Sequence, residues 1–487
     1  MTSIIVPVGP DGRWSADLGA LGAGNRPIRI RSRSVAGGGG RSAWRDRSLS
    51  IPAQFLREAT WDFDFINQRA WIENVRGQGV AYDLAGMLGQ LTFTRASAAT
   101  YFDSAGVLQD AANNALRFDH DPVTLAPRGI LIGGARTNSI RNPRCEGAVP
   151  GTPGTPPTHW DIVVSGSGIT LAFAGTGVED GIEYVDIDVA GIASGSPILQ
   201  IRPETTTGVV AASGQTWTHA NFARIVSGAA PGGTTSITWI ERTSGGTSVT
   251  FGSTIVAAAT SAALRTQRIA ATRTLSGGGT VARLTSRYDI SIPNGATVSF
   301  RLRIGLPKLE QGAFASSPIR PPVSSPAATT RATDVLTAAV GGWFNPSEGT
   351  FVASFSVLGL RSDANQYAAT IDDGTISNQF RTLANNVTGV SRSLVTLSGG
   401  QQASLATGSV SPGVAKTVAF AWRTNDAAAV EGGGSVQSDN SVTLPTGMTT
   451  VRFGCEAGGG AQLFGHLRRV SYIPRRVSNA ELQALSA

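Results

Sequence analysis

Apolar and polar residues alternate along most of this chain, and the period of the alternation is two. Trp61, Phe63 and Phe65 alternate with Asp62 and Asp64, and Val185, Ile187 and Val189 alternate with Tyr184, Asp186 and Asp188. Val298, Phe300, Leu302 and Ile304 alternate in the same way with Arg301 and Arg303, and Val418, Phe420 and Trp422 with Ala419, Ala421 and Arg423. Successive side chains of a strand point to opposite faces, so each run predicts a strand with one face in a core. Gly, Pro, Asn or Asp breaks recur about every 8 to 15 residues, which leaves little room for ordinary helices. At the C-terminus the signal changes: Ser478 and Glu481 form a capping box ahead of a short helix in NAELQALSA.

These patterns divide the 487 residues, too many for one core, into five parts. Residues 1–60 have no usable apolar period and read as an irregular anchor arm. Residues 61–141 form a hairpin-rich adaptor. Residues 142–317 form one antiparallel sandwich and residues 336–487 a second. Between them residues 318–335, PIRPPVSSPAATTRATDV, read as a semi-stiff linker rich in Pro, Ser, Thr and Ala. The fold class is all-β: a small β segment after the arm, then two sandwiches.

Candidate chemistry is sparse. RFDHDPVTLAPRGILI sets His120 between Asp119 and Asp121. Asp119 and His120 alternate faces and no second His lies near, so a metal site competes poorly with a hairpin corner built by Asp121-Pro122. A sugar site needs a flat aromatic and planar hydrogen-bonding groups. Gln215, Trp217, His219 and Asn221 share one strand face and supply that combination; the competing reading is that a lone strand Trp belongs to the core. Trp160 and Trp239 are further carbohydrate-binding candidates, whereas Trp422, beside Val418 and Phe420, reads as core. The stripe Tyr184, Asp186, Asp188 reads as solvated. Four scattered histidines and the absence of H-E-x-x-H, G-x-S-x-G or P-loop motifs speak against an enzyme; Glu348 and Glu431 are the acids of the last domain worth suspecting.

Residues 92–138 carry a motif series: R-A-S at Arg95, an aromatic before D-x-x-G at Phe102, R-F-D-x-D-P from Arg117 and G-x-R-T-N ending at Asn138. The series resembles a segment of tail-fibre and head-spike proteins of tailed bacteriophages and gene-transfer agents. That resemblance implies a particle-surface adhesin followed by carbohydrate-binding sandwiches, and supplies no catalytic residue. Residues 142–317, opening on NPRCEG, are similar to jelly-roll carbohydrate-binding modules, in which paired acids often hold a structural calcium. Glu146 and Glu310 stand in roughly matching places, although Lys308-Leu309-Glu310 replaces the usual closing Asp pair; apart from that calcium no cofactor is implied. FNPSEGTF, AWRTND and HLRRVSYIPRRVSNAELQALSA resemble the concanavalin-A-like domain that ends many phage fibres.

Charge adds a direction. Lys and Arg number 40 against 33 acids, and only Lys308 and Lys416 are lysines. Residues 1–50 hold eight Arg against three Asp, so +5 of the net +7 lies in this tenth of the chain. Arg29, Arg31, Arg33, Arg41, Arg45 and Arg47 are the candidate particle-anchoring residues, with a merely solvated arm as the alternative. Little aromatic company argues against nucleic acid. Cys145 and Cys455 fall in different modules, which disfavours a disulfide. MTSIIVPVGPDG is no signal peptide, and no apolar run reaches the ~20 residues of a membrane span. The expectation is therefore a virion-surface protein made in the host cytoplasm. It would be a homo-oligomer bound to other virion proteins through its arm and to a host glycan through its sandwiches. A polysaccharide-degrading spike enzyme is the alternative.

Overall fold

Each alternating run forms a strand, and the strands collect into two antiparallel sandwiches. The computed structural model describes residues 28–30, 45–47, 56, 58–75, 78–204, 208–386 and 388–487. It separates into units 1–59 and 60–487. In the first unit, Ile28–Ile30 pairs antiparallel with Arg45–Arg47. Arg29, Arg45 and Arg47 lie on these strands, but their side chains, like Arg31, Arg33 and Arg41 altogether, lie outside the described residues. No helix among the described residues is long and apolar enough to cross a membrane.

The jelly-roll sandwich is organised by one long hairpin, Asp161–Glu179 with Ile182–Arg202. The first half of Ile182–Arg202 pairs with Thr297–Gln311, and its last residues pair with Arg283–Ser291. The strand thus passes from one layer to the other. The backbones of the hairpin cross closely where it bends: a Cβ on Gly168 would sit 2.0 Å from Ile192 O, so only glycine fits. Val185, Ile187, Val189, Phe300 and Leu302 fill the space between layers. On the outer side, Arg303 grips Asp186 and Arg301 grips Asp188, each through two N–H groups, and Arg303 lies 3.5 Å over the Tyr184 ring. The expected solvated stripe is an ion-paired ladder.

The second sandwich is larger than residues 336–487. Its ten-stranded sheet places Gly465–Ile473 at the centre, with Glu348–Val357 on one side and both Trp61–Asp64 and Pro127–Ile132 on the other. Its seven-stranded sheet is extended by Thr92–Thr94, paired with Val335–Ala339. Trp61, Phe63 and Phe65 therefore share one core with Trp422, Phe420 and Phe453. Trp422 stacks on Phe380 with ring centroids 4.2 Å apart. The helix Asn479–Ser486, carrying the expected capping box, packs on Lys416–Arg423.

The segment 61–141 thus supplies strands to the C-terminal sandwich, while its hairpin Ala99–Phe102 with Leu108–Ala111 packs Phe102 and Leu108 onto Phe222 and Leu306 of the jelly roll. Nor does 318–335 run free. Arg320 pairs with Asp110 and Glu183, and Thr329–Arg331 forms strand pairs with Arg136–Asn138. Buried charge fastens the segment 61–141 to the second sandwich. Asp334 accepts from Arg95 (3.2 Å), Arg117 (2.6 Å) and the backbone N–H of Gly133 (2.8 Å). Asp119 accepts from the Phe102 N–H and pairs with His466 at 2.7 Å, while Asp121 caps the turn through Val123 and Thr124. The Asp119-His120-Asp121 cluster is a corner and a clasp. His120 stays apart from the clasp, with its Nδ1 3.3 Å from Phe102 O.

Candidate functional site

The stripe of Gln215, Trp217, His219 and Asn221 shares a face as expected, but three of its members point into the jelly roll. Trp217 is 6% exposed, His219 1% and Asn221 0%. His219 Nδ1 meets Ser286 Oγ at 2.8 Å and Nε2 meets Asn221 Oδ1 at 3.2 Å; the ring also lies edge-on to Trp239. Burial holds its pKa down at about 4, with Asn221 opposing, so the ring is neutral. Trp239 is fully buried, and Trp160 is buried with Nε1 donating to Asn142 O at 2.9 Å. All five carbohydrate-binding candidates are buried, and none of the four rings among them presents a face to solvent. Period two groups residues on a face without saying which face is inside, and here the opposing sheet decides it.

The carboxylates singled out from the sequence are likewise spent on structure. Glu310 pairs with Lys308 at 2.6 Å and accepts from the Ser316 N–H and Oγ, while Glu146 accepts from the Ser324 N–H. A lysine thus neutralises the acid that was matched to calcium, and no group of three or more metal-ligating side chains stands among the described residues. Glu348 accepts from the Arg476 N–H; Glu431 pairs with Lys416 at 3.0 Å and accepts from Ser391. Cys145 and Cys455 are buried free thiols.

Where the sandwiches meet, a cleft of about 770 Å³ opens. One wall comes from the jelly roll: the turn 213–217, with Gln215 and the edge of Trp217, and the strand end Gln311 to Phe314. The floor is the strand Arg136–Asn138, and the far wall is the loop Arg361 to Asp363 of the second sandwich. Gln215 is oriented by accepting the Trp217 Nε1–H at 3.1 Å and the Ala212 N–H at 2.9 Å, which leaves its amide NH2 free to donate.

Arg136 is the notable group on the floor. Its guanidinium lies 4.5 Å from the Phe464 ring centre and 5.6 Å from that of Phe314, and its side chain is 16% exposed. Gly312 makes room for it, since a Cβ there would come within 2.8 Å of Nη2. No hydrogen bond joins that guanidinium to any described residue; its carboxylate neighbour Glu310 stands 3.8 Å from Nε. Burial and the neighbouring Arg361 lower its pKa, against Glu310 and Asp363, and it stays charged. Arg361 shares the Phe464 ring at 5.3 Å, but Asp363 fills its fork with bonds of 2.8 and 2.7 Å. Sequence reasoning found Arg136 only as a motif letter and missed Arg361, Asp363, Gln311 and Phe314, because a cleft between distant segments leaves no local period.

A scan of protein-family models finds no match to the chain, and a search of curated proteins finds none. Among solved structures, the carbohydrate-binding module CBM40 of Ruminococcus gnavus IT-sialidase, bound to α2,3-sialyllactose, matches at TM-score 0.26 and 19% identity over 29% of this chain and 84% of that one. The CBM22 tandem of Paenibacillus barcinonensis Xyn10C matches at 0.21 and 8% over 69% and 95%, and mouse laminin α1 LG4-5 at 0.21 and 10% over 56% and 90%. Likeness at these TM-scores carries no argument about this chain.

Proposed function

We propose that the protein is a structural adhesin of a tailed-phage or gene-transfer-agent particle, a tail fibre or head spike, and that the inter-sandwich cleft holds host surface polysaccharide without cleaving it. One observation carries this reading: a solvent-open cleft of about 770 Å³ along which planar amide, guanidinium and carboxylate groups stand, with only the edge of the buried Trp217 reaching its wall. Such groups match the hydroxyls of pyranoses. The motif series of residues 92–138 supports the particle setting. Its Arg95, Arg117 and Asp119 lie in the buried clasps that fasten this segment to the second sandwich. The arginine-rich arm docks on the particle in this reading, and several copies on one axis raise avidity over that of single weak sites.

Gln311 is exposed on the cleft rim, so Gln311→Trp fills the cleft without disturbing the core. Binding of the purified protein to host polysaccharide is expected to fall about tenfold or more, roughly 1.4 kcal/mol, with an unchanged melting curve. Unaltered binding would place the site elsewhere. Release of reducing ends from that polysaccharide would favour the degrading enzyme instead.

A further inference from the structure

We infer that the cleft selects saccharides bearing a carboxylate, such as uronic or sialic acid residues, and that Arg136 receives the acid group. The inference rests on the glycan-binding reading above and names the class of sugar.

A guanidinium is a planar fork of five N–H donors, best satisfied by a carboxylate taken through two parallel bonds. Protein folds spend this fork on their own acceptors when they bury it. Arg117 does so on Asp334, Thr100 O and Ser317, and Arg331 on Ser317 and Gly134 O. Arg136 departs from that pattern: it is largely buried, packed against the Phe464 and Phe314 rings, which themselves meet edge to face with centroids 5.6 Å apart, and has no hydrogen-bond acceptor among the described residues. Packing against the rings leaves its side chain 16% exposed and its charge partly desolvated, which strengthens any anion contact made there.

The surroundings favour an anion over a neutral group. Beneath the floor, Arg95, Arg117, Arg331 and Lys308 face only Asp334 and Glu310. Neighbouring guanidiniums join burial in lowering Lys308 to about 7 and Arg331 to about 10. At the mouth Arg361 adds a second positive charge, already matched by Asp363, which is 70% exposed. The two arginines therefore differ: Asp363 fills the Arg361 fork with hydrogen bonds, whereas Arg136 has only a 3.8 Å ion pair with Glu310, whose oxygens Lys308 and Ser316 already hold. Gln311, Ser213 and the free amide of Gln215 then stand along the same cleft for the hydroxyls of the ring that carries the acid.

The test is titration of the full-length protein with trigalacturonic acid and with sialyllactose, each beside its carboxyl-reduced counterpart. At least one acid is expected to bind about tenfold tighter than its reduced form, and more weakly as salt rises. Arg136→Gln should abolish the difference. Because that change also removes ring contacts, Asp363→Asn provides a second arm: freeing the Arg361 fork at the cleft mouth should tighten acid binding several-fold, a gain that damage to the fold would not produce. Equal affinity for acid and reduced forms would overturn the acid selectivity and leave glycan binding standing. So would an unchanged preference in folded Arg136→Gln, or no gain in Asp363→Asn. Failure to bind any of these saccharides or host polysaccharide would overturn both readings.

Discussion

Asp334 is one carboxylate holding two guanidiniums, and none of the three side chains is reached by solvent. Removing it leaves Arg95 and Arg117 buried with no counter-charge, a change that typically costs about 3–5 kcal/mol. Asp334→Ala is therefore expected to lower the denaturant midpoint sharply, with an unchanged slope if the fold survives. His219 makes stability depend on pH. Its folded pKa near 4 lies below the ordinary 6.5, so protonation favours the unfolded chain. Stability is complete above pH 6.5 and is lost as pH falls toward 4, by about 3 kcal/mol at most. His219→Gln should flatten that part of the pH–stability curve. Trp217 belongs with these structural residues: Trp217→Ala should cost roughly 3–5 kcal/mol and melt early, as should Trp422→Ala. Calorimetry on both variants checks this, and an unchanged Trp217→Ala melting curve would refute it.

Elements show which signals act locally. The terminal helix was legible because a capping box is a contact within four residues: Glu481 N–H to Ser478 Oγ, and Ser478 N–H to the Glu481 carboxylate at 2.7 Å. Ser478→Ala should cost about 1 kcal/mol and fray the last turn that covers Lys416–Arg423, read as a small drop in melting temperature. The Asp121 turn was legible for the same reason. Gly129 was not: its need for glycine comes from Leu467 O, 2.1 Å from where a Cβ would stand, on a strand more than 330 residues away. The same gap separates the strands, each readable from its period, from their sheets. WDFDF announces a strand, and nothing near it announces that Asp62 will accept from Ser471 Oγ. Pro318 to Asp334 reads as linker by composition, yet Asn138 donates to Ile319 O and Thr100 to Pro318 O, partners that composition cannot reveal.

At the scale of the molecule, the unit 60–487 is one interlocked body. A fragment of residues 336–487 would lack Trp61–Asp64, Arg69–Val75, Gln78–Tyr82, Thr92–Thr94 and Pro127–Ile132, leaving Tyr472 and Phe453 without their cover. It is expected to aggregate or remain molten, whereas 60–487 should unfold in one transition; a dispersed amide spectrum from 336–487 alone would contradict this. The central place of Gly465–Ile473 also governs how the chain is made. Trp61–Asp64 and Glu348–Val357 leave the ribosome long before the strand that both must flank, and the Asp62–Ser471 bond spans 409 positions. At about 5–20 residues per second, the early strands wait some tens of seconds or longer with open edges. The larger sandwich closes only after Gly465–Ile473 has been made, so a product terminated before that strand carries unpaired apolar strands and is a natural substrate for chaperones and proteases.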